Sequence, residues 1–243
     1  MHDHAAASGS HPNPPPTKML PPATNLRIRV GTSQAKGEAL LDAAASAWDQ
    51  AASTAIILNR TPRLYQTEPV QERPIPGCQV RALRSGGNLW LRLQWDDPTK
   101  NAPEAPPARK GEGGELLYKR PTGETAAFTD AAAVMVPDTW IGPAFPSLLM
   151  GDKQSPACLY HWSASRGARV MTATGRATPQ PTGQTIPHRA RHENGLWVVT
   201  LALADQPDGY PVAFAIWDGE FADRDGLKFF SVWHVLTKKD DVK

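Results

Sequence analysis

Residues 89–95 read Leu-Trp-Leu-Arg-Leu-Gln-Trp, so Leu89, Leu91, Leu93 and Trp95 fall on one side of an extended chain. Period-two alternation of this kind fits a half-buried β-strand and fits no helix. It recurs at residues 26–30, Leu-Arg-Ile-Arg-Val. Ser85-Gly86-Gly87-Asn88 between residues 80–84 and the Trp-rich segment reads as a hairpin turn. Further strands are expected at residues 126–136, 157–163, 196–203, 212–217 and 229–236. Each is bounded by Pro, Gly, Asp or Asn. The spacing of Leu40, Leu41, Ala44 and Trp48 predicts one helix over residues 37–52. The expected fold is all-β: an antiparallel β-sandwich of about ten strands with one or two short helices.

Two segments stand apart from this pattern. Residues 1–25 are Pro-rich and lack apolar periodicity, and read as a disordered arm ahead of one domain spanning residues 26–243. His2, His4 and His11 in that arm lack the supporting contacts a metal site needs. Residues 98–125, rich in Pro, Gly and charge, read as a long surface loop.

Several functions are excluded. With 26 basic and 24 acidic residues the charge is too balanced for phosphate neutralisation, so nucleic acid is not an expected partner. Two cysteines, Cys78 and Cys158, are too few for a cysteine-built zinc site or an iron–sulfur cluster. No Cys-x-x-Cys-His motif is present to attach haem covalently. Gly-x-Ser-x-Gly and the glycine-rich phosphate loops are also missing, so no catalytic residue is assigned. Asp223-Arg224-Asp225-Gly226 reads as a tight turn, because a calcium loop would need further ligands. No apolar run approaches the roughly 20 residues of a membrane-spanning helix, and no leader peptide is visible.

Five segments together resemble the haem b-binding γ subunit of type II molybdenum enzymes in the dimethyl sulfoxide reductase family. They are residues 90–98, residues 128–134, the step Met150-Gly151-Asp152, residues 159–164, and residues 213–236. The resemblance runs from Leu26 to Leu236, with the insert at 98–125 fitting poorly. It implies a β-sandwich with one non-covalent haem b between axial Met and Lys ligands, which fall on Met150 and Lys228. It also implies a molybdenum-cofactor catalytic subunit, an iron–sulfur subunit and a soluble cytochrome c or similar carrier as partners, in the periplasm.

The residues permit this and leave alternatives open. Most methionines fill core gaps, but Met150 stands between a proline-rich loop and a Gly-Asp turn. Lys228 can ligate iron only as the neutral amine, and Leu227, Phe229 and Phe230 flank it; otherwise it is a solvated lysine beside a turn. His161 and His234 are competing ligands, since Met/His pairs occur in cytochromes. If residues 228–234 were one strand, His234 would lie about 20 Å from Lys228 and could not share its iron. Trp162 and Arg166, with Arg169, are candidates to line the porphyrin and to pair with its propionates. The 8 tryptophans would fill the sandwich. In the alternative reading they stack on sugars, as in a carbohydrate-binding module. A Cys78–Cys158 disulfide would brace the Met150 loop.

Overall fold

The computed structural model describes residues 26–35, 37–42, 45–61, 74–103, 109–110, 116–117, 128–140, 145–175, 179–221, 223 and 226–238. Side chains of 109–110 and 116–117 are not among them. The expected arm at 1–25, its histidines and most of the insert at 98–125 lie outside the described residues.

The strands are β1 (Arg27–Thr32), β2 (Ser53–Ile57), β3 (Asn59–Arg60), β4 (Gly77–Ser85), β5 (Asn88–Asp96), β6 (Arg109–Lys110), β7 (Leu116–Leu117) and β8 (Ala131–Pro137). Then come β9 (Ala157–Ser163), β10 (Gly167–Ala173), β11 (Gln180–Thr185), β12 (His188–Glu193), β13 (Leu196–Ala204), β14 (Pro211–Trp217), β15 (Phe229–Phe230) and β16 (His234–Lys238). One continuous sheet carries the order β11-β10-β9-β8-β14-β16-β1-β4-β5-β13-β12, while β6 and β7 pair separately. The chain is all-β as expected, but not purely antiparallel: β1 runs parallel to both β16 and β4.

The sheet turns at β14, which hands over from β8 to β16 by a short pairing at Pro211–Val235 and Val212–His234. Both halves line one core. Val134, Tyr160, Trp162, Val170, Phe214 and Ile216 from the first meet Val80, Leu91, Leu93, Trp95, Trp197 and Leu201 from the second. Alternation assigns the remaining side chains to the outer faces. The tryptophans serve this packing: Trp95 stacks on Trp197 at 6.2 Å, and Trp162 meets Trp197 edge-on at 4.9 Å.

Three sequence expectations change. The helix at 37–52 is two short 3₁₀ turns, Gly37–Leu41 and Ser46–Trp48. Ala45 is extended, and the Trp48 indole donates to the Leu40 carbonyl at 2.9 Å, fixing the turns by a side-chain bond. The strand at 229–236 is broken at Ser231, whose hydroxyl accepts from the Phe214 amide at 2.9 Å and donates to the Val232 carbonyl at 2.8 Å. Residues 228–234 therefore offer no continuous strand on which to measure His234 from Lys228. Finally, the strand expected at 126–136 starts at Ala131.

Candidate functional site

The site lies on the outer face of the first half of the sheet. Register places Ala213 opposite Met135, Ala215 opposite Ala133 and Trp217 opposite Ala131. Leu159 and His161 continue these rows on β9, and Arg169 and Met171 on β10. This face points away from the shared core, yet Ala131, Ala133, Ala213 and Ala215 are buried. Four alanines give it a low floor, with bulkier groups at both ends.

Met150 stands at one end. It packs on the cluster of Met135, Ala157, Leu159, Ala173, Ala213 and Trp233. Its backbone has φ 68°, a left-handed conformation that costs a non-glycine residue about 1–3 kcal/mol. The surrounding loop overdetermines it. The Gly151 amide donates to the Ser147 carbonyl at 2.9 Å, the Gly175 amide donates to the Met150 carbonyl at 3.0 Å, and Asp152 Oδ1 accepts from the Gln154 and Ser155 amides, each at 2.8 Å. Gly151 must be glycine: φ is 70°, and a Cβ there would strike the Ser155 carbonyl.

Lys228 stands at the other end. Its Nζ lies 5.3 Å from the centre of the Trp217 ring. The segment carrying it is tied to β3. Phe229 and Phe230 pair with Arg60 and Asn59, and the Lys228 carbonyl accepts from the Thr61 amide and hydroxyl at 2.9 and 3.0 Å. Arg60 in turn grips the buried Asp223 carboxylate through two contacts of 2.7 and 2.6 Å and covers the Phe229 ring. Ala213 and Trp217, the strand residues beside each, are four residues or about 13 Å apart along β14, a span that the long Met150 and Lys228 side chains would have to close for both to reach one iron.

His161 lies between them, its ring 5.4 Å from Trp217. Its Nδ1 is buried and has no hydrogen-bond partner among the described residues. Burial first, then the charges of Arg169 and Lys228, lower its pKa to about 4, so the ring is neutral at neutral pH. Arg166 is exposed in the β9–β10 turn, whereas Arg169 projects from β10 beside His161. Trp162 belongs to the core, on the opposite side of β9 from His161, because successive side chains alternate. His234 is buried against Phe214 with Nδ1 bonded to the Val232 carbonyl at 3.0 Å, and it too lies off this face.

The other described tryptophans and tyrosines are also buried, Trp140 only partly, so none forms the exposed platform that sugar stacking needs. Cys78 and Cys158 are free thiols, so the disulfide that the sequence left open is not formed. Burial pushes the Cys78 thiol up to about 12.

Two features escaped sequence reading. The first is the alanine floor: Ala131 and Ala133 read as strand residues and as part of the 128–134 segment, not as a binding face. The second is a buried trio, Asp97, Asp130 and Asp218, with carboxylate oxygens within 4.8 Å of one another. Asp130 accepts from the Asn101 and Gly219 amides at 2.7 and 2.9 Å and from the Trp197 indole at 3.1 Å. It joins the loops after β5, before β8 and after β14. Burial outweighs these bonds and raises its pKa to about 7. The signal was present in Asp97, Asp130 and Asp218, each beside a strand end.

A thioether, an amine and an imidazole border this small-residue floor, and sulfur and nitrogen donors of these types fit a haem iron. A chlorate reductase subunit gamma from Ideonella dechloratans is 30% identical over 61% of this chain and 59% of its own. A dimethylsulfide dehydrogenase subunit gamma from Rhodovulum sulfidophilum is 26% identical over 66% and 60%. A protein described as a respiratory nitrate reductase heme subunit, from Haloferax mediterranei, is 25% identical over 66% and 55%. The chain thus spans less than two thirds of the length of these relatives. Residues 45–182, more than half of the sequence and including Met150, the alanine-bearing β8 and His161, match the ethylbenzene dehydrogenase family, and the chain belongs to that family.

Proposed function

We propose that this chain is an electron-transfer subunit that holds one non-covalent haem b between Met150 and Lys228. It would relay electrons between an iron–sulfur subunit and a soluble carrier such as a cytochrome c, in a periplasmic complex whose molybdenum-cofactor subunit does the substrate chemistry. The observation that carries this reading is the placing of Met150 and Lys228 at opposite ends of one alanine-floored face. The relatives' names, a heme subunit and two gamma subunits of oxidoreductases, support the subunit role.

A haem b in this site supplies one-electron exchange between ferrous and ferric iron, and a neutral thioether ligand favours the ferrous form. The chain's own residues do the rest. The strained turn at Met150 fixes the backbone that carries its side chain, so no backbone freedom would have to be frozen on binding. Lys228 can ligate only as the neutral amine, whereas its Nζ over the Trp217 face is a cation–π contact that favours the ammonium, so ligation would have to release that proton. His161, already neutral, adds no competing charge and offers its Nδ1 to the bound group. Arg169 projects from the face and Arg166 from the adjoining turn, which supports propionate pairing by these arginines, Arg169 the more directly.

Titrating the full chain with haem tests the reading. The expected result is one haem per chain with a saturating Soret band. Titration without a saturable Soret change contradicts it.

A further inference from the structure

The outer face of the second half of the sheet carries a cluster of arginines. Arg81 on β4 stands directly opposite Arg92 on β5; Arg92 faces Thr200 on β13, and Thr200 faces Arg189 on β12. The next row reads Gln79, Gln94, Val198 and Arg191. The intervening Val80, Ala82, Leu91, Leu93, Val199 and Leu201 all point into the core, so these rows point out of it.

Like charges directly opposed on a sheet have Cβ atoms about 5 Å apart and oppose folding. The carboxylates nearby relieve this only in part. Arg191 pairs with Glu193 at 3.3 Å, both well exposed. Asp42 and Asp49 attract Arg92, which also donates to the Asp42 carbonyl at 2.8 Å and to Thr200 Oγ1 at 3.3 Å beneath the Trp48 ring. Burial and the charges of Arg81 and Arg191 still lower the Arg92 pKa to about 10. Arg81 is the sharper case: its Nε is buried and has no acceptor among the described residues. A buried donor on a cation with nothing to donate to is costly unless a ligand completes it.

We propose that Arg81, with Arg92, Arg189 and Arg191 around it, binds an oxyanion group, a carboxylate or a phosphate. The planar guanidinium fork matches such a group with two parallel bonds. Gln79 adds a donor, because Ser53 Oγ donates to its Oε1 at 2.9 Å and leaves its amide NH₂ available. A bound oxyanion offsets the repulsion between the two strands, and it reaches the buried Arg81 Nε once that side chain turns outward. The site stands on a different half of the sheet from Met150 and Lys228 and does not depend on the haem reading.

The group has two sources, a free inorganic anion or an acidic side chain of a docked protein. Thermal melts of the full chain distinguish them, with inorganic phosphate or a hexaglutamate peptide added at ionic strength matched by sodium chloride. A saturable rise in Tm with phosphate marks a free anion, and a rise with the peptide alone marks an acidic side chain. Arg81→Gln is expected to abolish the rise and, without anion, to melt no lower than wild type because a charge facing Arg92 is gone. Arg189→Gln, on the exposed edge strand, is expected to fold normally and to raise the half-saturating concentration about tenfold. No response to either probe beyond that to sodium chloride overturns the proposal, as does a response that survives Arg81→Gln.

Discussion

The Arg60–Asp223 contact is the tie that orders the segment leading into Lys228, and Arg60→Ala tests it. The Asp223 side chain is fully buried and Arg60 only 19% exposed. Removing one partner of a buried ion pair costs about 3–5 kcal/mol, since the remaining charge stays desolvated. Water can enter where Arg60 was, so the lower end, about 3 kcal/mol, is expected. For a chain of this size each kcal/mol moves the melting temperature by about 2–4 °C, so the drop should be about 6–12 °C. Part of it reflects the lost cover over Phe229. Urea unfolding of wild type, Arg60→Ala, Asp223→Ala and the double variant separates that part, because only the paired interaction appears as coupling in the cycle. A coupling above about 1.5 kcal/mol is expected. If Arg60→Ala costs less than about 1 kcal/mol, the contact behaves as a surface pair and this account of the Lys228 segment is wrong.

Asp130 predicts a distinct pH signature. Its folded pKa, about 7, lies above the ordinary 3.8, so the folded state holds its proton more tightly and this group's contribution to stability falls as pH rises from about 4 to 7. Wild type measured against Asp130→Asn by urea unfolding between pH 4.5 and 8 should show that decline, and a difference independent of pH contradicts it. Ala215→Leu should abolish haem uptake while costing the haem-free protein about 1–3 kcal/mol, as overpacking of a buried position does. Uptake at wild-type affinity would mean that the alanine floor is not the binding face.

Much of the fold was legible because burial of one strand face writes itself as alternation. Residues 89–95 and 196–203 fell where expected. The failures have physical causes. Leu40 and Trp48 sit at helical spacing, but an indole-to-carbonyl bond and an extended Ala45 hold two separate turns instead. Ser231 resembles any strand residue until its hydroxyl replaces a backbone rung and ends β15. The parallel pairings of β1 join residues more than fifty positions apart and leave no local trace. At the site, Met150 and Lys228 were named by resemblance, but the face they share depends on β8, β9 and β14 coming together. The same alternation that made β9 recognisable separates Trp162 from His161, and only the packed core shows which side each takes.

The central claim is the ligand pair, and the most direct test is the absorption spectrum of the haem-loaded chain with its Met150→Ala, Lys228→Ala and His161→Ala variants. Wild type should show the sharp α and β bands of six-coordinate low-spin haem when reduced. Met150→Ala and Lys228→Ala should each shift toward high spin or lose haem, with His161→Ala remaining low-spin. Conversion by His161→Ala, with Lys228→Ala unchanged, would contradict the assignment of Lys228.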